Sequence, residues 1–281
     1  MSSMPRQRRA LVVAGDARQH HLAAWLAARG WRVYALGFAA PGVETVPAWP
    51  GLGPGAMLVG PLRGIGPGGG LGEGMPVLTP EQVADLGPGG LIAAGRIAPD
   101  VAAWAREAEV DCLAYLSDEA FQWHNAVPTA EAAIALAVGR TGETVAERPF
   151  AVLGAGRVGL TLAVRLAALG ARVRVLERDP GLRARARALG LAAGPWDRNL
   201  IRGMDGIFNT VPAPVLDQAW FDVLQPAWVM DLASAPGGRA PGVVVAEGRY
   251  LPQPGLPGRF APRAAARILA EVLEDWWRMH R

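Results

Sequence analysis

A short apolar run, Pro149-Phe-Ala-Val-Leu153, leads without a break into Gly154-Ala-Gly156-Arg-Val-Gly159 and then into a stretch of helical apolar period that stops at Gly170. A second apolar run, Arg172-Val-Arg-Val-Leu176, follows and closes on Glu177-Arg178. Strand, glycine turn, helix and second strand in this order fold together as a parallel βαβ unit. Gly154 permits the tight turn, Gly156 lets an anion approach without a Cβ in the way, and Gly159 lets helix and strand pack closely. The free N–H groups of the helix's first turn then face outward at Gly156, Arg157 and Val158, which is the geometry that holds a pyrophosphate. A bare G-x-G-x-x-G carries little in a chain with 36 glycines, but here the flanking strands and helix are all in place. The segment implies a dinucleotide site. Glu177 and Arg178 pull its specificity in opposite directions, since a carboxylate favours the ribose 2′-hydroxyl of NAD and an arginine the 2′-phosphate of NADP.

The remainder of the chain alternates in the same way, so the expected fold class is α/β: two Rossmann-like domains with parallel sheets, joined by interdomain helices. Residues 1–125 are expected to form an N-terminal substrate domain, with strands at Leu11 to Ala14, Trp31 to Leu36, Ala56 to Val59, Leu91 to Ala94 and Asp111 to Leu116. Its helices run from His20 to Ala28, Thr79-Pro80 to Leu86 and Pro99 to Ala108, with Pro at the first position of the last two costing no hydrogen bond. Gly60 to Gly74 is too rich in glycine and proline for a regular element, and lies where such sheets bind ligands. An interdomain helix is expected over 126–145, starting at Pro128-Thr129, and the dinucleotide-binding domain over 146–259. Its later strands end in Thr210-Val211-Pro212 and in Asp231-Leu-Ala-Ser234, and Val243 to Ala246 leads on to the loop Pro252 to Gly258. A C-terminal amphipathic helix occupies 260–281.

Composition excludes several chemistries. All 28 basic side chains are arginine, so no Schiff base, Tyr-x-x-x-Lys relay or lysine contact to a substrate carbonyl can operate. The one cysteine, Cys112, is expected as a buried strand residue, and His20, His21, His124 and His280 have no zinc-binding spacing, so no metal site is expected. A net charge of +3 with scattered arginines argues against nucleic acid, and Leu182-Arg-Ala-Arg-Ala-Arg187 reads as a solvated helix face. The apolar runs fall far short of a membrane span, and the basic start from Arg6 precedes a strand rather than a signal sequence, so a cytoplasmic protein is expected.

Five separated motifs, in order, add a further layer. They are Gly15-Asp16-Ala17-Arg18-Gln19, Asn125-Ala-Val-Pro128-Thr129-Ala-Glu131, Phe208-Asn209-Thr210-Val211-Pro212, Asp231-Leu-Ala-Ser234-Ala-Pro236-Gly-Gly238, and Pro254-Gly-Leu-Pro257-Gly258 with Ala261-Pro262-Arg263. Together they resemble the dipicolinate synthase A-subunit family of endospore-forming bacteria nearly end to end. Two departures stand out: Ala235 where relatives tend to carry arginine, and Arg263 where they carry lysine. The resemblance implies oxidation of dihydrodipicolinate, or of its hydrated tetrahydro precursor, to the aromatic pyridine dicarboxylate in the mother cell, with NADP as acceptor and NAD as the alternative. It implies the flavoprotein-like second subunit of dipicolinate synthase as partner, no nucleic acid or membrane partner, and leaves self-association into a homo-oligomer open.

A dicarboxylate needs cations, and arginine's planar fork bonds both carboxylate oxygens. Arg18, just past the first strand, is the first candidate, with Arg263 and Arg63 behind it. Asp16 is the candidate proton acceptor or its orienter, and equally a helix cap. His124 is a candidate proton shuttle. Asn125 and Thr129 are candidate substrate contacts, Thr129 equally an N-cap. Thr210, Val211 and Pro212 are expected under the nicotinamide ribose, and the resemblance places Ser234 and Gly258 near the nicotinamide ring. The competing readings are a D-2-hydroxyacid-dehydrogenase-like enzyme and a cofactor-binding subunit without turnover of its own.

Overall fold

The computed structural model describes residues 7–224 and 227–280, so Arg6 of the basic start lies outside the described residues. The chain divides into two compact units, Met1–Gln122 with Ala261–Arg281, and Trp123–Phe260.

In the first unit the strands are β1 (Arg9–Val13), β2 (Arg32–Leu36), β3 (Glu44–Val46), β4 (Met57–Val59), β5 (Leu91–Ala94) and β6 (Asp111–Ala114), interleaved with helices α1 (Ala17–Ala27), α2 (Pro80–Leu86) and α3 (Pro99–Glu107). All pairs are parallel and the sheet order is β3-β2-β1-β4-β5-β6. Strands β1, β4 and β5 are buried on both faces and read as unbroken apolar runs, as strands sandwiched between helix layers must. α2 starts at the expected place: Thr79 accepts from the Gln82 backbone N–H at 3.3 Å while Gln82 accepts from that of Thr79 at 3.1 Å, a reciprocal cap.

A long helix, α4 (Glu119–Thr141), leads into the second unit. It begins well before the expected Pro128, because Asp118 accepts from the Phe121 N–H at 2.6 Å and so caps the start. Pro128 lies inside the helix and withholds one donor from its ladder, yet the helix continues through it. Thr129 is accordingly not an N-cap; its hydroxyl donates to the Asn125 carbonyl at 2.8 Å.

The second unit repeats the plan. Its strands are β7 (Pro149–Leu153), β8 (Arg172–Leu176), β9 (Ala192–Gly194), β10 (Gly206–Asn209), β11 (Trp228–Asp231) and β12 (Tyr250–Pro252), and its helices α5 (Arg157–Ala168), α6 (Pro180–Ala188), α7 (Gln218–Val223) and α8 (Leu256–Phe260). The order β12-β11-β10-β7-β8-β9 is again wholly parallel. Val243 to Ala246 is irregular, and the strand that completes the sheet is β12 instead. A short helix, α8, interrupts the expected loop at Pro252 to Gly258.

The C-terminal helix α9 (Pro262–His280) returns to the first unit and lies along α1. Ala265, Ala266, Ile268, Leu269, Ala270, Leu273 and Trp277 bury one stripe at helical spacing. Trp277 meets Trp31 edge to face at 4.9 Å between ring centroids. One expectation fails here: Cys112 is exposed, because β6 is the outer strand of its sheet and its first two residues face solvent.

Candidate functional site

Each sheet reverses its strand order once, between β1 and β4 in the first unit and between β7 and β10 in the second. Ligands of open parallel sheets bind outside the carboxyl ends of the strands at such a reversal. Asp16 and Arg18 fall there in the first unit, and the glycine turn with Thr210 in the second.

In the first unit, β1 ends at Val13 and the chain turns through Ala14 and Gly15 into Asp16, the N-cap of α1. Asp16 Oδ1 accepts from the Arg18 N–H at 3.0 Å and from Arg18 Nε at 2.9 Å, and Oδ2 lies 3.1 Å from the same Nε. Asp16 is thus the helix cap, and the same carboxylate holds the Arg18 Nε. Arg18 is completely buried, and its Nη1 and Nη2 have no hydrogen-bond partner among the described residues. A buried guanidinium is costly unless its N–H groups are paired, and Asp16 satisfies one edge of the fork alone. The outer edge, two parallel donors, suits a carboxylate. Gln19, beside it, is also completely buried with both amide atoms unpaired. Tyr115, just past β6, donates to the Gly60 carbonyl at 3.2 Å; burial raises its phenol, and the Asp16 and Arg18 charges reach it. Arg63 and Arg263 are exposed.

In the second unit two of the three glycines are required by their surroundings. Gly154 has φ 94°, and a Cβ there would come 2.7 Å from Thr210 Oγ1. A Cβ on Gly159 would lie 2.0 Å from the Gly154 carbonyl oxygen, inside any tolerable contact. A Cβ on Gly156 would meet nothing within 4 Å. That open space, in front of the first turn of α5, is a cradle into which a phosphate fits. Thr210 holds the opposite side: its hydroxyl donates to the Leu153 carbonyl at 2.8 Å, tying the end of β10 to β7. Glu177 accepts from the Ala155 N–H at 2.8 Å, which braces the glycine turn, and with its other oxygen from the Asp179 N–H at 3.0 Å, at the start of α6. Arg178 is exposed, its guanidinium 5.9 Å from the Trp196 ring centre.

Deeper in this unit lies a polar network to which the sequence assigned no role. Asn209 and Asp231, ends of the adjacent strands β10 and β11, are buried and bonded at 2.7 Å. Asn209 also donates to the Val211 carbonyl at 3.1 Å and accepts from the Val211 N–H at 3.2 Å, which fixes the Thr210 to Pro212 turn. Asp231 accepts from the N–H groups of Ala233 and Gly238 and from the Tyr250 hydroxyl. Burial and then Asp231 push the Tyr250 phenol up to about 12. The network anchors the loop that presents Ser234, which is itself exposed, whereas Gly258 is buried within α8. Asn125 is half-buried with its Oδ1 unpaired, and His124 is exposed, both on α4.

Two parallel sheets in this order, one with a glycine cradle at its reversal, define a protein of the dehydrogenase-like Rossmann class. Residues 9–116 match the family described as the N-terminal domain of the dipicolinate synthase A-subunit. The dipicolinate synthase A-subunit of Bacillus subtilis (strain 168) is 39% identical over 154 residues, which are 53% of this chain and 52% of that protein. The matched part thus spans about half the length of the curated relative. The crystal structure of the dipicolinate synthase A-subunit from Bacillus halodurans superposes with a TM-score of 0.79 at 27% identity, over 96% of this chain and 97% of the other. That of the corresponding protein from Bacillus subtilis gives 0.80 at 26%, over 99% and 97%. The resemblance drawn from the five motifs is borne out. A transhydrogenase from Sinorhizobium meliloti, at 17% identity and a TM-score of 0.60 over 95% of this chain and 94% of its own, shares the fold.

Proposed function

We propose that the chain is the dehydrogenase component of a dipicolinate synthase: it oxidises dihydrodipicolinate, or its hydrated tetrahydro precursor, to pyridine-2,6-dicarboxylate, acting in the mother-cell cytoplasm of a spore-forming bacterium together with the flavoprotein-like second subunit. The observation that carries the reading is Arg18, a buried cation whose two outer nitrogens lack partners at the reversal point of a Rossmann sheet. Such a group favours an anionic ligand strongly enough to orient it, because charge-assisted bonds made away from water contribute on the order of 1.5–3 kcal/mol each. Asp16 holds Nε and keeps the fork aimed, so its role is to orient rather than to take the substrate proton.

A nicotinamide dinucleotide fits the second unit at the open space before Gly156, with Gly154, Arg157, Val158 and Gly159 forming the turn and Thr210 to Pro212 the far wall. The cofactor would supply an acceptor for the hydride, the dihydropyridine would lose one further proton to solvent on becoming aromatic, and the hydrated precursor would first lose one water. For the choice of cofactor, NADP is supported by Glu177, whose two oxygens are spent on backbone N–H groups, and by the exposed Arg178 beside it. The family resemblance would set Ser234 and Gly258 near the nicotinamide ring, and Asn125 is the polar group of α4 that retains an unpaired buried acceptor.

The test follows absorbance at 340 nm for the purified chain, alone and with the flavoprotein-like partner, with freshly generated dihydrodipicolinate and NADP or NAD in parallel. Stoichiometric appearance of reduced cofactor and pyridine dicarboxylate, faster with NADP, is the expected result. Tight cofactor binding without reduction of either cofactor, even with the partner present, overturns it.

A further inference from the structure

We infer that Gln19 is a specificity-determining residue of the first unit, whose amide reads the ring nitrogen next to the carboxylate that Arg18 holds; this rests on the proposed reading of that unit as a diacid site. Its side chain is completely buried, yet neither the Nε2 donor nor the Oε1 acceptor has a partner among the described residues. Native proteins rarely leave a buried amide empty-handed at both ends, and a ligand at this spot would pair both. Placement supports the same conclusion. Gln19 follows Arg18 in the first turn of α1, and its backbone N–H is tied to the Asp16 carbonyl at 3.1 Å, so the two side chains leave one short turn that Asp16 fixes.

The side chain does not run out along the helix. It folds back over Gly15: a Cβ on that glycine would stand 3.0 Å from the Gln19 Cδ and Oε1 and 3.1 Å from Nε2. Gly15 has no left-handed backbone to explain it, so what its missing Cβ provides is room for the amide at the carboxyl end of β1. An amide offers one donor and one acceptor on the same plane. Its Nε2 can therefore donate to the lone pair of the ring nitrogen, an imine before oxidation and an aromatic nitrogen afterwards, a contact that no carboxylate could make in either state.

Two probes isolate this contact. Pyridine-2,6-dicarboxylate and benzene-1,3-dicarboxylate carry the same pair of carboxylates at the same spacing and differ in having ring nitrogen or C–H between them. Titration calorimetry of the full chain, in chelator-treated buffer, should show the pyridine diacid bound at least about tenfold more tightly. Gln19→Met, which keeps length and removes both polar ends, should bring the two affinities together by weakening the pyridine diacid alone, and should leave the melting temperature unchanged or a few degrees higher because an unpaired buried amide is gone. Gly15→Ala, which crowds the amide, should reduce the preference while Gln19 is still present.

If Q19M keeps the preference, or unfolds or melts well below the parent, Gln19 is structural and the inference falls. Equal binding of both diacids by the parent chain also overturns it while leaving the diacid site intact. Binding of neither overturns the diacid reading of the unit and the inference with it.

Discussion

At the residue scale, the chain's polar groups separate into those satisfied within the protein and those left waiting. Asp231 is of the first kind: with Asn209, Gly238, Ala233 and Tyr250 around it, every strong bond of this buried carboxylate is internal. Arg18 and Gln19 are of the second, buried with side-chain atoms unpaired among the described residues, which is the observation the proposed diacid site rests on. The Tyr250 phenol makes the first kind measurable. Its pKa is raised to about 12 in the folded chain against about 10 when unfolded, so the neutral form contributes stability that is complete below about pH 10 and is lost as pH rises through about 12. Tyr115, raised in the same direction by burial, adds to this alkaline loss. Thermal melting from pH 8 to 12 should fall steeply above pH 10, and Tyr250→Phe should flatten that fall; an unchanged slope would show the phenol to be free. At the proposed cofactor site, Arg178→Ala should weaken NADPH about tenfold or more in a fluorescence titration and leave NADH within twofold, whereas equal losses for both would place Arg178 elsewhere.

At the scale of elements, the glycine turn between β7 and α5 shows why some of the site could be read directly. Gly154 and Gly159 are dictated by local sterics, which sequence order alone specifies, whereas a Cβ on Gly156 would meet only open space. The start of α4 was legible less well, since Pro128-Thr129 carries a stronger local start signal than Asp118, and tertiary packing around Phe121 overrode it. The Asn209–Asp231–Tyr250 network and the empty amide of Gln19 were not legible at all, although these residues stood within or close after quoted motifs. Being buried, paired or unpaired is a property of neighbours distant in sequence. The glycines differ in a way that substitution should expose: Gly159→Ala forces a Cβ against the Gly154 carbonyl and should cost both cofactor binding and several degrees of melting temperature, while Gly156→Ala, pointing into open space, should keep the melting temperature and lose cofactor affinity. A G156A chain that binds NADPH normally would remove the cradle from the account.

At the scale of the whole molecule, one architectural rule is used twice. Both units close a parallel six-stranded sheet with the same strand order, and they differ in what stands at the reversal: a glycine cradle with free N–H groups in one, a buried arginine held by an aspartate in the other. The absence of lysine throughout the chain assigns carboxylate binding to arginine, which is always charged and offers two parallel donors. In the proposed function the cofactor binds the second unit and the diacid the first. The most direct test is an Arg18→Met chain titrated with NADPH and, separately, with pyridine-2,6-dicarboxylate. The account predicts NADPH affinity within twofold of the parent and diacid affinity lower by about a hundredfold, the loss of two charge-assisted bonds. Undiminished diacid binding by R18M would contradict it.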